Sequence, residues 1–162
     1  MVAVLFLFCA GCSLAEDSIA LPAFVTEDIY GSPANSGVFA QYDLTVINLW
    51  GTTCYPCIEE MPALAEWTRE MPENVHLVGV VMDVRDADDP GAEAARMICK
   101  ATGADYPNWV LSKDLQGLFG SVQFTPTTVF VNRRGELVGQ PIIGANVAGY
   151  QRFVEEYLSE NQ

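Results

Sequence analysis

Histidine is almost missing from this chain: among 162 residues there is only His76. A structural zinc site takes four ligands, usually from two pairs of Cys and His. Beyond the pair Cys54 and Cys57, only Cys99 and His76 remain past the N-terminal region, and His76 falls inside a strand-like run, which argues against zinc. Basic residues are scarce too, 8 against 21 acidic ones, for a formal net charge of −13. That balance repels phosphate backbones and anionic lipid, so no nucleic-acid partner is expected. The chain has no internal repeat and no low-complexity tract. It also lacks any charge before Glu16.

The N-terminal region is that uncharged stretch. Residues 2–14 are nearly all apolar, too few to span a bilayer and suited to the h-region of a secretory signal. The basic n-region that normally precedes such a run is missing, so the true start is expected upstream of Met1. Two processing sites are readable. Ala10-Gly11-Cys12 resembles the end of a bacterial lipoprotein signal, which would lipidate Cys12 after removing residues 1–11; Cys9 stands where that pattern usually has Leu. Ser13-Leu14-Ala15 is a small-x-small site for simple secretion. An uncleaved anchor is the third possibility. All three put the rest of the chain outside the cytoplasm. The expected organisation is a signal over 1–15, a linker over 16–21 and one domain over 22–160, a length that can bury a core.

Along the domain, 22–26 reads as an extended segment, followed by a turn-rich stretch to Ser36-Gly37. The apolar run 44–50 reads as a buried strand. Residues 56–70 read as a helix with Pro62 in its interior, where one backbone hydrogen bond is lost. Residues 75–82 have the continuous apolar character of a parallel strand covered on both faces. An acidic loop leads to a helix over 91–102, ended by Gly103, then a short strand over 109–111 and a short helix over 115–122. The β-branched run 127–131 is a further strand. Arg133-Arg134-Gly135 turns it into a partner over 136–139. Val147, Tyr150, Val154, Tyr157 and Leu158 recur at helical spacing. This order implies an α/β fold, a central mixed sheet flanked by helices, with its ligand site at the carboxyl ends of the parallel strands.

Cys54-Tyr55-Pro56-Cys57 lies at one such end, between strand and helix. Two cysteines two residues apart there form a dithiol able to close into a disulfide. The helix N-terminus favours the thiolate of the first, Cys54. Pro56 suits the first turn, where its missing N–H costs nothing. Glu60 lies one helical turn after Cys57, so a carboxylate there is placed to accept the Cys57 proton. Burial would raise its pKa. A solvated Glu60 is the duller alternative, and adjacent Glu59 suits that description better. A c-type haem site is excluded because residue 58 is Ile, not His. Cys99 reads as a small buried hydrophobe, with a third redox role as the alternative. Trp50, Trp67 and Phe119 read as core or as surround of the cysteines, and His76 as a surface or strand-edge residue.

Trp50-Gly51-Thr52-Thr53-Cys54-Tyr55-Pro56-Cys57, then Glu59-Glu60-Met61-Pro62, then Phe124-Thr125-Pro126-Thr127-Thr128 together resemble a thioredoxin-fold protein. Within that fold the chain is most similar to the TlpA/ResA-type extracytoplasmic thiol-disulfide oxidoreductases, over about residues 21–158. The extra helix between Asp83 and Asn108 fits the insertion of that subfamily. The resemblance implies that Cys54 is the exposed nucleophile, Cys57 the resolving cysteine and Cys54–Cys57 the redox disulfide. It implies that Pro126 is a cis-proline facing that disulfide, where its ring blocks metal capture. Thr125 would offer its backbone to an extended substrate segment, and Glu60 would be a buried acid that tunes the cysteines. Trp50, Tyr55 and Pro56 join Thr125 as expected substrate contacts. One position departs: the family commonly has Trp before the first cysteine, and here Thr53 stands there.

The expectation is a membrane-tethered reductase of protein disulfides, a monomer without cofactor or metal. It would act on oxidised proteins, with electrons from a membrane donor of CcdA/DsbD type. Apocytochrome c and oxidised antioxidant repair enzymes are the substrate classes the resemblance suggests. A disulfide-forming oxidase remains open. A thiol peroxidase of the peroxiredoxin kind would need Thr three residues before the nucleophile, and Gly51 is there. A copper-delivery module would need a wider cysteine spacing and a later His, and none follows Thr127. A non-catalytic binding module would tolerate loss of either cysteine.

Overall fold

The computed structural model describes residues 19–161. The signal run, Cys9, Cys12, the Ser13-Leu14-Ala15 site and the start of the linker lie outside the described residues. In chain order the elements are β1 (Val25–Glu27), β2 (Pro33–Asn35), a 3-10 helix (Ser36–Gln41), β3 (Leu44–Trp50) and α1 (Tyr55–Glu70). Next come β4 (Val75–Val81), α2 (Pro90–Thr102), β5 (Asn108–Val110), α3 (Lys113–Phe119), β6 (Thr127–Asn132), β7 (Leu137–Ile143) and α4 (Val147–Glu160).

The main sheet has the order β5-β4-β3-β6-β7. β3, β4 and β5 run parallel, while β6 and β7 are antiparallel to their neighbours. Parallel strands need crossovers, and α1 and α2 supply them. β3 is buried at every position, as its unbroken apolar run requires of a central strand covered on both faces. Its side chains alternate between two cores. Leu44, Val46 and Trp50 face a cluster with Met61, Leu64, Tyr150 and Val154, contributed by α1 and α4. Ile47 and Leu49 face a second cluster with Leu115, Phe119 and Phe39 on the opposite side. Asn48 shares the parity of Val46 and Trp50, so the strand's period of two aims its amide toward α1 and α4. Each fully buried Leu or Ile in these layers contributes roughly 2 kcal/mol over an exposed one.

Three local details differ from the sequence expectations. The first extended segment, expected over 22–26, is the strand Val25–Glu27, and it pairs with a second strand that Pro33-Ala34-Asn35 did not announce. The side chain of Asn35 then accepts from Gly37 N–H and starts an unforeseen 3-10 turn. β7, expected to end at Gly139, runs on to Ile143. It tolerates Gly139 and Pro141 because it is an edge strand, where Pro costs no interior ladder bond, and the β6–β7 register shifts between Thr128 and Phe130. The close of α2 is as expected: Gly103 adopts a left-handed conformation and its N–H caps the Cys99 carbonyl.

Candidate active site

Cys54 is the N-cap residue of α1, four residues past the end of β3. Its N–H donates to the Gly51 carbonyl at 3.1 Å, closing the turn. Asp83, just after the neighbouring strand β4, holds that turn from the side. Its carboxylate accepts from the Thr52 N–H at 3.0 Å and from the Thr52 hydroxyl at 2.6 Å. Sequence reasoning missed Asp83, because the contact joins residues 31 apart. Cys54 and Cys57 are disulfide-bonded, with Cα atoms 5.3 Å apart. The two sulfurs differ in access: Cys57 is 1% exposed, whereas Cys54 is half-buried at the helix end. An attacking thiol therefore reaches Cys54 first.

Glu60 is 6% exposed and lies on the inner face of α1 with Cys57, Met61 and Leu64. Asn48 Nδ2 donates to Glu60 Oε1 at 2.9 Å and to Thr128 Oγ1 at 3.0 Å. On the other side, Tyr150 donates to Glu60 Oε2 at 3.1 Å. Burial holds the Glu60 carboxyl above its usual pKa, and the bonds from Asn48, Tyr150 and the Asn146 backbone pull the other way. Sequence reasoning saw Asn48 and Tyr150 only as a strand residue and a helical apolar position. A signal for Asn48 was available: it is the only Asn inside the otherwise apolar run 44–50. A buried amide there needs a partner.

The Thr125-Pro126 peptide is cis. It immediately precedes β6, whose Thr127 is the register partner of Leu49, so Pro126 lies at the same sheet end as Trp50 and the turn to Cys54. Thr125 is half-buried and Pro126 buried. Tyr55, Phe124 and Ile143, all on segments adjoining this end, are 70%, 64% and 67% exposed. Phe124 and Ile143 were not singled out from sequence. Tyr55 also hydrogen-bonds Glu59, which raises its pKa, and Pro56 is exposed beside it.

Trp50, expected as a substrate contact, is instead fully buried. Its Nε1–H donates to Asn108 Oδ1 at 2.9 Å, so it supports the sheet end from within. Trp67 and Phe119 are likewise core residues. Cys99 is a buried free thiol with its pKa pushed up to about 11 by burial, which makes it a poor nucleophile. His76 lies where β4 extends past β5, half-buried and stacked on Tyr42 at 4.5 Å; burial lowers its pKa. Among the described residues, no cluster of three or more His, Cys, Asp or Glu is placed to hold a metal ion, and no helix is long and apolar enough to cross a membrane.

No protein-family model matches the chain. Individual proteins do. It is 29% identical over 158 residues to the thiol-disulfide oxidoreductase ResA of Halalkalibacterium halodurans, covering 93% of this chain and 80% of that protein. It is 31% identical over 134 residues to the thiol-disulfide oxidoreductase ResA of Bacillus subtilis, covering 78% of this chain and 66% of that protein. A crystal structure of a thioredoxin-family thiol:disulfide interchange protein from Chlorobium tepidum superposes with a TM-score of 0.72 at 20% identity, over 87% of this chain and 97% of that one. With the cysteine pair at the helix N-terminus, the cis-proline at the same sheet end and these relatives, the chain belongs to the TlpA/ResA-type family of thioredoxin-like thiol-disulfide oxidoreductases.

Proposed function

We propose that this enzyme is a reductase of protein disulfides working outside the cytoplasm, with a catalytic domain over 22–160 held at the membrane by lipidated Cys12. The observation that carries the direction is Glu60. A strongly oxidising CxxC owes its potential to a stabilised thiolate in the reduced state. Here a buried carboxylate one turn after Cys57 opposes a thiolate beside it, and residues 1–68 contain no Lys, Arg or His to offset it. That favours the disulfide, and so a reducing dithiol.

In the reaction, the Cys54 thiolate attacks one sulfur of a substrate disulfide and releases the other as a thiolate, which takes up a proton. The Cys57 thiol gives its proton to Glu60 and attacks Cys54 Sγ. The Cys54–Cys57 disulfide closes and the second substrate thiol leaves. Two electrons have passed to the substrate, and a membrane donor of CcdA/DsbD type would return them. Thr125 would pair its backbone with an extended substrate segment beside Pro126, and exposed Tyr55 and Pro56 would flank it. Disulfides of apocytochrome c or of oxidised repair enzymes would suit this role as substrates.

The test is the reduction potential of the Cys54–Cys57 couple, by equilibration in dithiothreitol buffers and thiol trapping. A value of about −270 mV or lower supports the reductase. A value of about −120 mV reverses the direction. The position of Cys54 at a helix N-terminus favours its thiolate and is the one feature that speaks for that oxidase reading.

A further inference from the structure

Tyr150 is fully buried, yet its hydroxyl meets three polar groups, one on α1 and two on the segment that leads into α4. It lies 3.1 Å from Glu60 Oε2 and 3.0 Å from the Gly144 carbonyl oxygen, and it accepts from the Asn146 N–H at 3.2 Å. A phenol has one proton, so it donates to the carboxylate or to the carbonyl. The protonation of Glu60 decides which. An ionised Glu60 only accepts, so the phenol turns to it. A protonated Glu60 donates through Oε2, because Asn48 already occupies Oε1. The phenol oxygen then accepts from the acid, and the phenol proton turns to Gly144. In both states the carboxyl and the phenol are satisfied, as burial demands.

Gly144 links this choice to the substrate side. Its N–H donates to the Pro126 carbonyl at 2.8 Å, and the preceding Ile143 is the register partner of Thr127. We propose that Tyr150 is a positioning residue whose hydroxyl turns between Glu60 and the Gly144 carbonyl, so that each protonation of Glu60 during exchange is registered at the segment bonded to Pro126. The proposal rests on the reading of Glu60 as acceptor of the Cys57 proton. The titratable groups facing Glu60 are Cys57 on its own helix, Tyr150 on α4, and Tyr106 before β5 with Asp105 and Cys99 behind it. None of them is a cation. The hydrogen bonds from Asn48, Tyr150 and the Asn146 backbone are therefore the groups that favour the ionised form against burial.

The experiment uses the reduced full chain, with the Glu60 side-chain carboxyl and the Gly144 amide followed by NMR across pH. Tyr150→Phe keeps the ring and removes the hydroxyl. The expected result is a rise of the Glu60 midpoint by about one pH unit, since a hydrogen bond to the charged form is lost. The acid limb of the exchange rate should move with it. In the parent the Gly144 amide follows the Glu60 titration, and in Tyr150→Phe it stops doing so. Site-specific 3-fluorotyrosine at 150, a stronger donor of nearly the same shape, should lower the midpoint, and it carries the test if the phenylalanine variant does not fold. An unmoved Glu60 midpoint, or a Gly144 amide that still follows it without the hydroxyl, overturns the proposal and leaves Tyr150 as packing. If both NMR effects appear while Glu60→Gln leaves the exchange profile unchanged, the hydrogen-bond switch stands and Glu60's part in exchange falls.

Discussion

The indole N–H of Trp50 donates to Asn108 Oδ1 at 2.9 Å across β4, and this bond sets what the strand between them can carry. Asn108 is itself held by donating to the Tyr106 carbonyl at 2.8 Å. Between the two side chains lies Gly79, in the middle of β4. A Cβ there would collide with Asn108 Oδ1 and crowd Trp50 Nε1. Gly79→Ala should therefore break the bond and leave a buried indole N–H unpaired, at a cost of about 2–3 kcal/mol. Chemical denaturation measures it. A loss well under 1 kcal/mol would mean that the indole finds another acceptor.

A second prediction concerns Glu60 and stability. Burial raises its folded-state pKa, so the native protein binds this proton more tightly than the unfolded chain. The contribution is fully present below the unfolded value, about 4.3, and is lost as pH rises through the folded value. Above that, the fold carries an ionised carboxylate in its interior. Glu60→Gln imitates the neutral acid and its hydrogen bonds. The reduced variant should match the parent near pH 4 and exceed it in denaturant midpoint near pH 8. A parent more stable than the variant at pH 8 sinks the argument.

These residues also show what was legible in the sequence and what was not. β3 and β4 were readable because burial on both faces leaves a continuous apolar run, and α1 because burial on one face spaces its apolar positions at the helical period. The cysteine pair was readable because its chemistry is local: spacing, helix start and proline lie within four residues. The network around Glu60 was not, since its partners Asn48 and Tyr150, and the Thr128 that also accepts from Asn48, come from three elements and meet only in the fold. Trp50 was misplaced for a related reason. An aromatic residue next to a catalytic turn can face out or in, and Asn108, 58 residues away, turns it in. β7 was cut short because Gly139 and Pro141 are breakers in a strand interior and harmless at an edge.

The two cysteines should differ in kind when replaced. Cys54→Ser removes the only sulfur of the pair that a partner can reach and should abolish exchange. Cys57→Ser leaves the attacker and removes the group that resolves the intermediate, so mixed disulfides with substrates should accumulate. Mass spectrometry of trapped adducts checks both. Adducts found at Cys99 rather than Cys54 in the Cys57→Ser variant would contradict the assignment.

Cys99 gives an independent control on access. With burial pushing its pKa up to about 11, almost no thiolate is available at pH 8. In a version of the chain beginning at Leu21, which omits Cys9 and Cys12, alkylation of the reduced folded protein should label Cys54 rapidly and Cys99 only on unfolding. Labelling of Cys99 at rates independent of denaturant would show that α2 opens locally.

The exposed apolar residues decide between a surface for proteins and a surface for any disulfide. Tyr55 follows Cys54, Phe124 stands just ahead of the cis Thr125-Pro126 bond, and Ile143 is the register partner of Thr127. All three are more than three-fifths exposed, and large apolar side chains at one end of a sheet invite a partner to cover them. Oxidised glutathione carries no large apolar side chain to cover them, whereas an extended protein segment beside Pro126 would lie across Phe124 and Ile143. Removing such a contact costs roughly 1.4 kcal/mol, which is tenfold in binding. The double replacement Phe124→Ala and Ile143→Ala should thus raise KM for a protein disulfide by about ten- to a hundredfold. The rate with oxidised glutathione should stay within about twofold, because it makes no such apolar contact and the bonds that form and break in exchange are unchanged. Steady-state kinetics with the two substrates side by side checks this. An equal slowing of both would mean that the replacements disturb Cys54 itself, and that recognition lies elsewhere on the molecule.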